Sequence, residues 1–153
     1  MPVNPELVGR EFPPTPPYLV GREKVREFAR AVFADAPLHT DVEAARALGY
    51  PDVVAPPTFA MVIQDLTLQQ LLAEPDSGIV LARTIHAEQR FQYTRPIVAG
   101  DELTGRLRVT GIRAMGGNAM ITSEAEITDA DGAHVVTATS VLLVGSGEEG
   151  EAA

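Results

Sequence analysis

Cysteine is absent from the 153 residues, which excludes disulfides, thiolate metal sites and a cysteine nucleophile. No apolar run approaches the ~18 residues a membrane span needs. The start, MPVNPELVGREF, lacks a basic stretch followed by an apolar one, so no secretory signal is visible and a cytoplasmic protein is expected. Positive charge is scarce: the formal net charge is −9, and still −6 without Glu148, Glu149 and Glu151. A chain this acidic has no electrostatic footprint for nucleic acid, although a local patch can still receive an anionic ligand. The sequence has no HExxH, GxSxG, GxGxxG or GxxxxGK pattern, so metal, serine-hydrolase and nucleotide signatures are missing and no cofactor is expected.

What is present suits a single globular domain over residues 1–145, with 45% hydrophobic residues and an acidic, disordered tail over 146–153. Six prolines between Pro2 and Pro17 forbid helix and central strand, leaving an extended arm that leads to a short strand at Tyr18–Val20. The segment REKVREFARAVF places Val25, Phe28, Ala29, Val32 and Phe33 on one helical face. Its other face carries Arg22, Lys24, Arg26 and Arg30, read either as a solvated face paired with Glu23 and Glu27 or as a dock for an acidic or phosphate-bearing partner. Pro37 is expected to end this helix, and Thr40 with Glu43 to form the capping box of a second, which stops at Gly49. After the irregular YPDVVAPP, a helix over about Thr58–Ala73 is apolar nearly all round and is expected to be buried.

From residue 79 the pattern changes to strands: Ile79–Thr94, Leu103–Arg113, a strand alternating from Ala119 to Thr128, and Ala133–Val144. Gly116-Gly117-Asn118 and Asp131-Gly132 mark the hairpins. The fold class is therefore α+β, an antiparallel sheet wrapped around one long apolar helix.

His39 lies between helices, beside prolines that fix its loop. A base near neutrality suits proton abstraction next to a carbonyl, and free N–H groups around Pro57–Phe59 suit the charge that develops on the carbonyl oxygen. Together they point to enolate-type chemistry on an acyl thioester. Asp35 is either an acid for that chemistry or a residue of the helix's last turn. His86 and His134 read as surface or sheet-packing residues, and Phe59 and Met61 as core or as lining of an acyl tunnel.

Three stretches carry a family resemblance: REKVREFARAV, PLHTDVEAARALGYPDVVAPPTFAMVI and RFQYTRPIVAGDELTGRLRV. From about Leu7 to Val144 the chain resembles MaoC-like hot-dog dehydratases and R-specific enoyl-thioester hydratases. Among them it is most similar to the A-type, substrate-binding subunits of actinobacterial (3R)-hydroxyacyl-ACP dehydratases. The resemblance implies a hot-dog fold, paired hot dogs with the site at their interface, and reversible loss of water from a 3-hydroxyacyl thioester. The family motif is Asp-x-Asn-Pro-aliphatic-His. Here it reads Ala34-Asp35-Ala36-Pro37-Leu38-His39, so the acid and amide positions are alanines and Asp35 is one residue off register. The implied role is binding of an acyl-ACP or acyl-CoA thioester, through Pro57, Thr58, Phe59 and Met61, with the catalytic Asp and His supplied by a second hot-dog subunit in a heterodimer. The alternatives are a homodimeric hydratase using His39 and Asp35, and a non-enzymatic acyl-thioester-binding module.

Overall fold

The computed structural model describes residues 2–147; the expected acidic tail lies from residue 148 onward outside them. Strands β1 (Tyr18–Leu19), β2 (Thr84–Tyr93), β3 (Glu102–Met115), β4 (Asn118–Thr128) and β5 (His134–Val144) form one antiparallel sheet, ordered β1-β3-β4-β5-β2. Helices α1 (Arg22–Ala31), α2 (Val42–Ala47) and α3 (Ala60–Ala73) all precede the four long strands. Period-two patterning explains β4: Ile121, Ser123, Ala125 and Ile127 are buried while Glu124 and Glu126 face out. At the β3–β4 turn both Gly116 and Gly117 have positive φ, 55° and 83°, the combination that a two-residue hairpin loop requires.

The two edges of the sheet differ. Along β3 the proline-rich arm adds itself as an irregular strand: Gly9 N–H donates to Val109 O at 2.8 Å, Phe12 N–H to Leu107 O at 2.9 Å and Thr15 N–H to Gly105 O at 2.9 Å. Arg10 pins the arm with a two-pronged bond to Asp76 at 3.0 and 3.1 Å. The arm thus satisfies an edge that would otherwise be open to wrong pairing. Strand β2 lies at the other end of the sheet and pairs with β5 alone among the described residues.

Helix α3 crosses the concave face. Ala60, Ile63, Gln64, Thr67, Leu68 and Leu71 are buried, while Met61, Val62, Leu66 and Leu72 are half-buried. The two buried polar residues are matched: Gln64 Nε2 donates to Ala138 O at 3.2 Å, Gln89 Nε2 donates to Gln64 Oε1 at 2.5 Å, and Thr67 Oγ1 donates to Gln64 O at 2.7 Å. Close approach of α3 to β3 depends on Gly105, where a Cβ would stand 2.7 Å from Thr67 Cγ2 and 3.1 Å from Ile63 Cγ2.

Four boundaries depart from the expectations. Helix α1 stops at Ala31 because Phe33 adopts the left-handed region (φ 57°), well before Pro37. The cap of α2 is Asp41 rather than Thr40; its side chain accepts from the Glu43 and Ala44 amides. The core helix opens with a 3-10 turn over Pro57–Phe59, and its outer flank is only half-covered because the sheet curls around one side. The first long strand starts at Thr84, after a 3-10 turn at Leu81–Arg83.

Gly105→Ala is expected to lower unfolding free energy by ~1–3 kcal/mol in urea melts, because both facing groups are β-branched and cannot swing away. Adding Thr67→Ser, which deletes the nearest methyl, should recover part of that loss.

Candidate functional site

The site is assembled from backbone pairing between two irregular loops. Ala36 is extended (ψ 131°), as a residue before proline must be, and Pro37–His39 form a 3-10 turn. Val54 N–H donates to Leu38 O at 2.9 Å, and His39 Nδ1 lies 2.5 Å from Val54 O. A carbonyl only accepts, so Nδ1 carries the proton and Nε2 is the basic nitrogen of the neutral ring. The residues on either side of Val54 face the other way: Ala55 N–H donates to Ile97 O at 2.8 Å and Ala99 N–H donates to Val53 O at 3.0 Å.

The 97–99 loop is closed by a charged clasp. Arg95 donates to both carboxylate oxygens of Asp101, at 2.9 and 3.1 Å, and to Asp129 at 3.2 Å. Asp101 also accepts from the Val98 amide at 2.9 Å. The Asp101 hydrogen bond holds the Arg95 guanidinium above its ordinary pKa. The Ala133 amide, reinforced by Arg95, holds the Asp129 carboxyl below the usual carboxylate range.

Tyr93 ties the sheet to the start of the core helix. Its hydroxyl donates to Pro57 O, and burial pushes its pKa up to about 12. Pro57 has no N–H, and Phe59 N–H is committed to Pro56 O at 2.9 Å, so Thr58 keeps the amide available at this helix entry.

Between these walls lies a cleft of about 440 Å³, lined by Leu38, His39, Val54, Ala55 and Pro57 on one side and Tyr93, Thr94, Arg95 and Pro96 on the other. No carboxylate lines it. Of the residues singled out from sequence, His39 and Pro57 are in the wall. Asp35 is exposed and outside the lining, and no hydrogen bond joins it to His39 among the described residues. Thr58 is exposed at the entry and Met61 is half-buried, both outside the lining. Phe59 is 0% exposed and packs edge-on against Phe28 with ring centroids 5.2 Å apart, so it is core rather than cleft wall. Tyr93, Thr94 and Arg95 were not anticipated as site residues, although they lie within the RFQYTRPIVAGDEL stretch that carries the resemblance.

The basic face of α1 is partly spent on structure. Arg22 bonds Asp52 at 2.8 Å, and Arg26 reaches Glu23 at 2.5 Å and Thr40 O at 2.9 Å. A larger hollow of about 740 Å³ between Pro2, Arg83 and the β3–β4 turn holds neither a histidine nor a carboxylate. Among the described residues no cluster suits a metal ion, and no helix is long and apolar enough to cross a membrane.

The curled five-stranded sheet over a central helix is a hot-dog fold of the hydroxyacyl-dehydratase kind. Residues 6–138 match the FAS1-like dehydratase domain region, and the chain belongs to that family. It is 64% identical over 144 residues to a UPF0336 protein of Clavibacter michiganensis subsp. michiganensis, covering 94% of this chain and 97% of that one. A chain of the HadBC (3R-hydroxyacyl-ACP dehydratase) complex from Mycobacterium tuberculosis superposes with a TM-score of 0.81 at 33% identity, covering 90% of this chain and 96% of that one. A MaoC-like dehydratase, also at 0.81, is 38% identical; the match covers 92% of this chain and 42% of that longer one.

The Tyr93 environment predicts a pH response. Its folded pKa of about 12 lies above the ordinary 10, so its contribution to stability is complete below pH 10 and is lost as pH rises through 12. Tyr93→Phe should flatten that alkaline decline relative to the native chain. At pH 8 it should cost ~1–3 kcal/mol in urea melts, because the Pro57 carbonyl loses its donor.

Proposed function

We propose that this chain is the substrate-binding subunit of a (3R)-hydroxyacyl-thioester dehydratase of fatty-acid synthesis. The observation that carries this reading is a cleft with a histidine and a helix entry but no carboxylate in its wall. Loss of water from a 3-hydroxyacyl thioester needs a base for the α-proton and an acid for the departing hydroxyl. The loop has the backbone for that chemistry, but Ala34 and Ala36 stand where the family motif has its acid and its amide.

The missing acid is then supplied by a second hot-dog subunit. The edge of β2 that is unpaired among the described residues supports this, because its last residue, Tyr93, lines the cleft and a strand docked there would bring a partner's side chains to the opening. The similarity to a chain of the HadBC complex, itself a hydroxyacyl-ACP dehydratase, points the same way. The position of Asp35 outside the cleft weighs against a self-sufficient hydratase.

The test is hydration of a trans-2-enoyl thioester by the purified chain alone and by the chain co-purified with a hot-dog subunit bearing the intact Asp-x-Asn-Pro-aliphatic-His motif. Activity is expected only in the pair, with kcat changed less than about threefold by His39→Ala. Strong activity of the chain alone, abolished by His39→Ala, would establish the homodimeric hydratase instead. Thioester binding with no turnover in either preparation would mark a binding module.

A further inference from the structure

His134, on β5, has both ring nitrogens engaged by hydroxyls: Nδ1 is 2.6 Å from Thr94 Oγ1 and Nε2 is 2.8 Å from Thr137 Oγ1. Thr94 itself lines the cleft and is anchored through its amide to Val135 O at 2.8 Å. The other polar side chains in the wall are already committed. Tyr93 serves Pro57, Arg95 serves Asp101 and Asp129, and His39 keeps only Nε2. Thr94 Oγ1 is held from behind by His134 and keeps hydrogen-bonding capacity toward the cleft, whereas Tyr93 Oη has given its proton to Pro57 O and can only accept.

We infer that Thr94, positioned by His134, binds the 3-hydroxyl of the acyl thioester, an assignment that rests on the reading of this cleft as an acyl-thioester site. The chemistry of the pair selects a hydroxyl over a carbonyl. If Thr94 donates to Nδ1, its lone pairs are left to accept. If Nδ1–H donates to Thr94, the threonine proton is left to give. A substrate hydroxyl satisfies either arrangement, whereas a carbonyl oxygen satisfies only the second. A thioester carbonyl is matched instead by the Thr58 amide at the helix entry, next to Pro57 of the facing wall. Thr94 directly follows β2, so a hydroxyl held there also sits beside the edge where a partner's acid would arrive. His134 is a positioning residue: it acts through Thr94.

The test compares binding of (3R)-hydroxyoctanoyl-CoA and octanoyl-CoA to the purified chain and to its complex, by calorimetry. The native chain should prefer the hydroxylated thioester by about three- to tenfold, the worth of one hydroxyl hydrogen bond. Thr94→Val should abolish that preference with little effect on octanoyl-CoA, Thr94→Ser should retain it, and His134→Phe should reduce it. Equal weakening of both ligands by Thr94→Val and His134→Phe would assign the pair a purely structural role and overturn the inference. So would a preference that survives Thr94→Val. Binding of neither thioester, to the native chain or to the complex, would sink the functional reading and the Thr94 assignment with it.

Discussion

The structure depends on a short backbone ladder between Val53–Ala55 and Ile97–Ala99, closed by the Arg95–Asp101 ion pair. Residues 50–56 contain two prolines and belong to no helix or strand, so their amides and carbonyls need partners from elsewhere. Val53 and Ala55 find them in the 97–99 loop. Val54, turned the other way between them, serves Leu38 and His39. One three-residue segment therefore fixes the histidine loop to the loop that follows β2. The ion pair adds geometry more than energy: a planar guanidinium is held by two oxygens of Asp101 and a third from Asp129, which fixes the orientation of the loop's closing residues.

Consequences spread from this ladder in both directions. Toward the chain's start it sets the distance between the 3-10 turn at Pro37–His39 and the entry of α3 at Pro57. Toward the sheet it sets the end of β2, where Tyr93 reaches across to the same helix entry. The cleft is the space left when the two loops are pulled together at one end by the ladder and braced by Tyr93. The relative placing of its walls is consequently set by backbone pairing.

The parts of this arrangement that were legible in the sequence rest on local chemistry. Alternation along β4, the Gly116-Gly117 turn and the apolar run of α3 are properties of neighbouring residues and were read correctly from them. The departures come from choices that neighbours do not decide. Thr40 and Asp41 are both competent caps, and only the geometry of the Pro37–His39 turn selects the aspartate. Gln64 faces the sheet, while Met61 and Val62 are only half-covered, because Ala138 and Gln89 offer it partners from 25 or more residues away. Composition cannot report how far a sheet curls. In the site, His39 and Pro57 stood out by residue type, whereas Tyr93, Thr94 and Arg95 acquire roles only through long-range pairing.

The histidine loop shows how a motif's shape and its chemistry come apart. The shape requires an extended residue before Pro37, a turn that ends at His39 and a donor for the carbonyl of buried Val54. Alanine at positions 34 and 36 meets the backbone requirements, and His39 Nδ1 meets the last. The histidine thus has a structural task that persists whether or not its other nitrogen ever moves a proton. Removing it would leave the Val54 carbonyl without its partner and loosen the ladder, so loss of stability is the expected primary effect and any loss of turnover must be measured against it. A histidine in a catalytic motif is evidence of chemistry only when the acid beside it is also present. In this chain no carboxylate lines the cleft that His39 faces.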